Sequence, residues 1–336
     1  MRPKEYRIKE LLREKGLDGA IVSSPENFHY VTGFGGHQHT VSRQPGFTLA
    51  VMRADDKVPT HLTTMDFEAA TFRIKAAGLN FVVDPYDTWV GLKTWDEIAH
   101  GAVVPDKTAM ESSMDKLVQF MKACDLANKK VGIELDYLPV PYYKSLTEKF
   151  PEAEFVNISD LFVYARSVKQ PDEIEMFRKL CRIADHGFTE VSKIAKIGVS
   201  ERELVQCFRE DVIKSGFCAP SSWSMFSTGP SSARLTLPGD GVVKDGDVVK
   251  FDAGVNAEFD FYTTDTSRAW IIGNGDPALL KLKDRLYEGQ RRMIAAAKPG
   301  LPINELYHTA YDYVKEMFPC YRRGHQGHSI SMGPAT

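Results

Sequence analysis

The chain has 336 residues, 43% of them hydrophobic, and a formal net charge of −3 at pH 7 from 42 basic and 45 acidic side chains. This composition excludes disorder, collagen-like fibre and coiled coil, and the length exceeds what one ordinary core holds, so two domains are expected. No basic block marks a nucleic-acid or anionic-membrane surface, no apolar run approaches the about 20 residues of a membrane span, and nothing behind Met1-Arg2-Pro3-Lys4-Glu5 resembles a signal peptide. The expected partner is a small molecule or another protein, and the expected location is the cytoplasm.

In chain order, a helix is predicted after Pro3, with Ile8, Leu11 and Leu12 on one face and Gly16 as its stop, followed by a short strand over Gly19-Ala20-Ile21-Val22. Further strands are predicted at 47–52, 80–83, 131–134 and 154–156, with helices near 66–77 and 114–127. That alternation is the mark of a sheet layered with helices. Around Arg166-Ser167-Val168-Lys169-Gln170-Pro171 the sequence changes character, and the proline suits a helix start. A long helix then carries Ile174, Phe177, Cys181, Ala184, Phe188 and Val191 as one stripe, and Ser200-Glu201-Arg202-Glu203 reads as a capping box for a second. Strands dominate 222–272, and helices return at 279–297 and 304–318. The five cysteines, Cys124, Cys181, Cys207, Cys218 and Cys320, are scattered, odd in number and never C-x-x-C, so reduced thiols are expected.

The chemistry concentrates in two segments. Asp252 closes an apolar run (Val248, Val249, Phe251), where an unpaired carboxylate is costly unless a cation or donors meet it. Asp265 follows thirteen positions later in what reads as the returning strand of a hairpin, so antiparallel pairing can bring both carboxylates onto one face and suit a divalent metal. On spacing alone, turn chemistry and pairing of Asp265 with Arg268 remain open. The second segment is Arg322-Arg323-Gly324-His325-Gln326-Gly327-His328, whose glycines allow close backbone approach and whose imidazoles can be ligands or hydrogen-bonded structural groups. The nucleophile elbow, the P-loop, the H-E-x-x-H zinc pattern and the dinucleotide fingerprint are all absent, which disfavours serine hydrolase, NTPase and dehydrogenase readings. His37 and His39 are expected in a loop, His186 and His308 on helices.

Taken together, these segments resemble the creatinase/prolidase/methionine aminopeptidase group with the pita-bread fold, and within it the Xaa-Pro dipeptidase and aminopeptidase branch. The resemblance rests on 17–34, 166–174, Gly229-Pro230-Ser231-Ser232-Ala233, Gly246-Asp247, Asp252-Ala253-Gly254, Thr264-Asp265-Thr266-Ser267-Arg268 and Gly327-His328-Ser329-Ile330, in the family's order and over nearly the whole chain. It implies an α/β fold with a creatinase-type amino-terminal domain over 1–160 and a pita-bread metallopeptidase domain over 161–336, incomplete at its end. It further implies Asp252, Asp265 and His328 as ligands of two divalent ions, with His328 also catalytic. Manganese, cobalt or zinc suits such donors, and an oxygen-rich set favours manganese. The implied reaction is hydrolysis of the peptide bond before proline in a proline-containing peptide, by a homodimer, with Tyr262, His325 and Arg268 lining or ordering the site.

Three departures from the family pattern stand out. The spacing of the aspartates is two residues longer than usual, an even change that preserves the face of each side chain and leaves Asp260 as a competing ligand. Thr236 occupies the place of a frequent family histidine, and the sequence reaches Thr336 before the two glutamate ligands that the resemblance implies. A creatinase-like or other non-peptidase enzyme on the same fold, and a binding protein without turnover, are the alternative readings.

Overall fold

The computed structural model describes residues 3–88, 94–101 and 112–333, so the charged start at Met1 and Arg2 lies outside the described residues. Contacts divide the chain into two units, Met1–Val168 and Lys169–Thr336.

In the first unit the amphipathic start folds as helix α1 (Pro3–Glu14), which buries Ile8, Leu11 and Leu12. Strands β1 (Gly19–Val22), β2 (Leu49–Arg53), β3 (Thr60–Thr63), β4 (Phe81–Val83), β5 (Lys130–Ile133) and β6 (Glu154–Asn157) form one sheet in the order β4-β3-β2-β1-β5-β6. β1 is parallel to β5 and antiparallel to β2. Helices α2 (Pro25–Thr32), α3 (Ala69–Ala76), α4 (Trp95–Ala99), α5 (Ser113–Ala123), α6 (Val140–Lys149) and α7 (Ser159–Ser167) complete the alternation. Ile21, Val51, Val131 and Ile133 of the sheet share a core with Leu117, Phe120 and Met121 of α5 and Leu146 of α6. The strand β3 has no counterpart in the sequence reading, because its Thr60 and Thr63 interrupt any apolar run. The unit also extends past residue 160, since α7 buries Leu161, Phe162 and Ala165, and the Tyr30 hydroxyl donates to the Ala165 carbonyl at 3.4 Å.

His39 lies in a short π-helical turn, Gln38–Ser42, and is 1% exposed instead of standing in an open loop. Its Nε2 lies 2.9 Å from the Ser23 carbonyl and its Nδ1 has no hydrogen-bond partner, so the ring is held neutral with the proton on Nε2. Burial pushes its pKa down to about 4 from 6.5. As pH falls from 6.5 to about 4, the unfolded chain takes up a proton here that the folded chain refuses. Stability is therefore full above that window and falls within it, by about 3 kcal/mol in total. Urea denaturation near pH 7 and near pH 4.5 should show this loss in the native chain and a shallower pH dependence in His39→Gln; equal slopes would remove His39 from the account.

In the second unit, helix α8 (Pro171–Ile194) and helix α9 (Glu201–Lys214) pack together and against a three-stranded sheet. That sheet holds β8 (Met225–Thr228), β9 (Val248–Ala253) and β11 (Thr266–Ile271) in the order β11-β9-β8. β7 (Cys218–Pro220) and β10 (Val255–Ala257) make a separate antiparallel pair. Along β9 the residues alternate: Val249, Phe251 and Ala253 are buried, while Val248, Lys250 and Asp252 are half-buried on the other face. Phe251 meets Phe188 of α8 and Phe208 of α9 at ring separations of 4.7 and 4.8 Å. Helices α10 (Pro277–Ala296) and α11 (Ile303–Met317) form a hairpin that brings the chain to the segment 321–333.

Candidate functional site

The two aspartates are brought onto one face by the antiparallel register of β9 and β11. Ser267 lies opposite Asp252, and Asp265 is two residues before Ser267, so both carboxylates point to the same side. The hairpin expected between them is broken at Gly254, after which the chain leaves the sheet to pair as β10 with β7. A Cβ at residue 254 would overlap the Thr264 carbonyl oxygen and come within 2.8 Å of the Trp223 ring, so only glycine fits. The crossing is locked by buried donors. The Gly254 N–H donates to Ser221 Oγ at 2.9 Å, and the Val255 N–H donates to Thr264 Oγ1 at 3.0 Å.

Burial, and next the Asp265 carboxylate beside it, push the Asp252 carboxyl up from the ordinary aspartate value, against the opposing charges of Lys250 and Arg323. His328 Nε2 lies 2.9 Å from Asp265 Oδ2, and its Nδ1 lies 2.9 Å from the Ser329 carbonyl. A carbonyl accepts only, so Nδ1 carries a proton, and in the neutral ring Nε2 then aims a lone pair at a carboxylate oxygen. That arrangement asks for a positive charge, a proton or a metal ion, between imidazole and carboxylate. Two oxygen donors and one imidazole nitrogen fit a divalent ion in chemistry. In geometry they form a chain, Asp252 to Asp265 to His328, and among the described residues no three His, Cys, Asp or Glu side chains close around one point as a metal cluster.

The remaining candidates divide. The His325 ring lies 6.4 Å from that of His328, edge-on to it. Arg268 lies opposite Phe251, on the other face of the sheet, where it pairs with Asp185 at 2.6 Å and covers the Phe188 ring. The structure therefore corrects the expectation for Arg268, which is three residues from Asp265 and so faces away by strand alternation. Tyr262 is 5% exposed, its hydroxyl donates to Glu173 Oε1 at 3.0 Å, and its ring packs edge-on against Phe177. It anchors the returning chain to α8 and does not line an open site. Glu173 also accepts from the Gln170 N–H at 2.8 Å, so one buried carboxylate caps α8 and holds Tyr262. Asp260 stands in the turn after β10, and the Thr236 hydroxyl donates to the adjacent Leu237 carbonyl at 3.2 Å.

Two further residues that hold the 229–238 segment carried no individual signal. Glu201, 3% exposed, accepts from the Thr228 N–H at 2.8 Å and the Gly239 N–H at 2.7 Å, which pins both ends of the 229–238 segment. Lys250 shares the Asp252 face and donates to the Arg234 carbonyl of that same segment at 2.6 Å. Burial pushes the Lys250 ammonium down from the usual lysine value, and Asp252 opposes this.

Residues 6–168 match the Creatinase/Prolidase N-terminal domain, and residues 175–334 match Metallopeptidase family M24. The chain belongs to the creatinase/prolidase group of that family. It is 29% identical over 319 residues to the Xaa-Pro dipeptidase of Pyrococcus furiosus, covering 94% of this chain and 78% of that protein. It is 24% identical over 331 residues to the uncharacterized peptidase YqhT of Bacillus subtilis, covering 97% of this chain and 81% of that protein. The solved Xaa-Pro dipeptidase from Bacillus anthracis superposes with a TM-score of 0.78 at 22% identity, over 99% of this chain and 83% of that one. The α/β fold expected from the sequence, a creatinase-type amino-terminal domain followed by a pita-bread domain, therefore stands. The family implies divalent metal cofactors.

Gly254→Ala should destabilise the carboxy-terminal unit by about 3 kcal/mol, because a methyl group has to displace the Thr264 backbone. Chemical denaturation checks this, and an unchanged midpoint would mean that the crossing has room.

Proposed function

We propose that this chain is a metal-dependent peptidase that hydrolyses the bond before proline, with Asp252, Asp265 and His328 as protein ligands of its divalent ions and manganese as the favoured metal. The observation that carries the reading is the contact of His328 Nε2 with Asp265 Oδ2 while Nδ1 is held at the Ser329 carbonyl. This fixes the imidazole with a free lone pair directed at a carboxylate that shares its face with a second. When bound there, a divalent ion supplies Lewis acidity towards an amide carbonyl and towards water.

The chain's own residues supply position and proton handling. β9 and β11 hold the carboxylates at a set spacing, and the Ser329 carbonyl fixes the tautomer and orientation of His328. His325, whose ring lies 6.4 Å from that of His328, is a second imidazole for moving a proton, since Thr236 offers none. A bond before proline has no N–H, so a substrate bound in extended form there needs no acceptor from the site, and the ring itself becomes the feature to recognise. The names of the Pyrococcus furiosus and Bacillus anthracis relatives support the same substrate class.

Release of proline from Xaa-Pro dipeptides, compared with matched Xaa-Ala dipeptides, tests the reading. Turnover should require manganese or cobalt, vanish in EDTA and return on re-addition of metal. Asp252→Asn should lower turnover by at least about 100-fold and reduce bound metal measured by elemental analysis. Equal rates on Xaa-Ala substrates would refute the proline preference, and turnover of creatine instead would favour the non-peptidase alternative.

A further inference from the structure

Lys250 occupies an unusual position for a cation. In β9 it lies two residues before Asp252 on the same half-buried face, about 7 Å along the strand, which is close to the length of one extended residue and its hydrogen bond. Its ammonium makes one hydrogen bond, to the Arg234 carbonyl at 2.6 Å, and leaves further donor capacity. Arg323 lies near enough to act on the charges of both Lys250 and Asp252, and its Nε donates to the His325 carbonyl at 3.1 Å. Among the described residues neither Lys250 nor Arg323 has a carboxylate within ion-pair distance. Opposite Lys250 in the ladder stands Ser227, 1% exposed, whose Oγ has no hydrogen-bond partner. Directly opposed residues share a face. The face therefore carries an acidic end, at Asp252 and Asp265, and a cationic end with an unused hydroxyl beneath it.

We propose that Lys250 is the specificity-determining residue of this site, binding a carboxylate on the substrate about one residue from the bond held at Asp252 and Asp265. The assignment rests on the peptidase reading above, and it names the substrate class as peptides with an anionic group next to the scissile bond. A carboxylate can come from a free chain terminus or from an acidic side chain, and the chemistry of recognition is the same. An ammonium that is half-buried and has no carboxylate within ion-pair distance gains more from such a partner than an exposed one does.

Isothermal titration calorimetry in EDTA tests this without requiring turnover. The probes are N-acetyl-L-proline, its carboxamide and the α-amide of N-acetyl-L-glutamate. The native chain should bind at least one of the two acids about 10-fold or more tightly than the carboxamide. Lys250→Met should lose that margin while keeping the weak carboxamide binding, and Lys250→Arg should recover most of it. Which acid shows the margin identifies the source of the carboxylate. Equal affinities of acids and carboxamide for the native chain, or unchanged acid binding in a folded Lys250→Met checked by circular dichroism, would overturn the proposal. If Lys250→Met does not fold, Lys250→Gln and Arg323→Gln decide: loss of the acid margin in the first and its retention in the second support the assignment, and the reverse overturns it. Carboxylate binding through Lys250 without peptide turnover would sink the peptidase reading alone, and turnover without any dependence of binding on Lys250 would sink only this one.

Discussion

At Gly254 the backbone passes so close to the Thr264 carbonyl that no side chain fits between them. The register of β9 against β11 depends on that approach, and with it the side to which Asp252 and Asp265 point. The polar groups freed where the chain changes sheets are taken up by Ser221 and Thr264, both almost fully buried. A buried backbone group without a partner costs about 1–3 kcal/mol, so the crossing survives only because each donor there is met. Packing reinforces it from the other side, where Phe251 sits against Phe188 and Phe208.

Much of this was legible in residue order. The spacing of Asp252 and Asp265 lets both fall on one face, and the same strand alternation puts Lys250 beside Asp252 and turns Arg268 away. The strand at Gly19–Val22 and the long helix from Pro171 follow from short apolar runs and capping residues, which are local signals. The split of the hairpin into two sheets was not legible, because Val255–Ala257 is only three residues long and pairs with Cys218–Pro220, far away in sequence. The engagement of Tyr262 by Glu173 was hidden for the same reason: the partners are 89 residues apart, and neither has a local pattern that announces the other.

The site's electrostatics follow from a division of labour between the faces of one strand. The inward face of β9 is apolar and fixes position, while the outward face gathers opposite charges that do not pair with each other. Isolated charges on a half-buried surface are usually matched within the protein. Here Asp252 crowds against Asp265 and Lys250 reaches only a carbonyl, so each end of the face is left to be matched by a group of opposite sign from outside the fold.

The first unit contains a different kind of long-range dependence. Glu134, at the end of β5 and 2% exposed, accepts from the Ser24 N–H at 3.0 Å and from Ser24 Oγ at 2.6 Å, and it also accepts from the Ser23 N–H and the Asn27 side chain. The donors cluster at the start of α2, where a carboxylate is also favoured by the helix dipole. Ser24 and Glu134 are 110 residues apart. Ser24 also caps α2 locally by accepting from the Asn27 N–H, so the helix start has one partner close in sequence and a second, Glu134, that reaches it only through the pairing of β5 with β1. The start of α2 is thus held by a contact that closes a long stretch of chain, and removing the Glu134 carboxylate would leave several buried donors at that helix end without their acceptor.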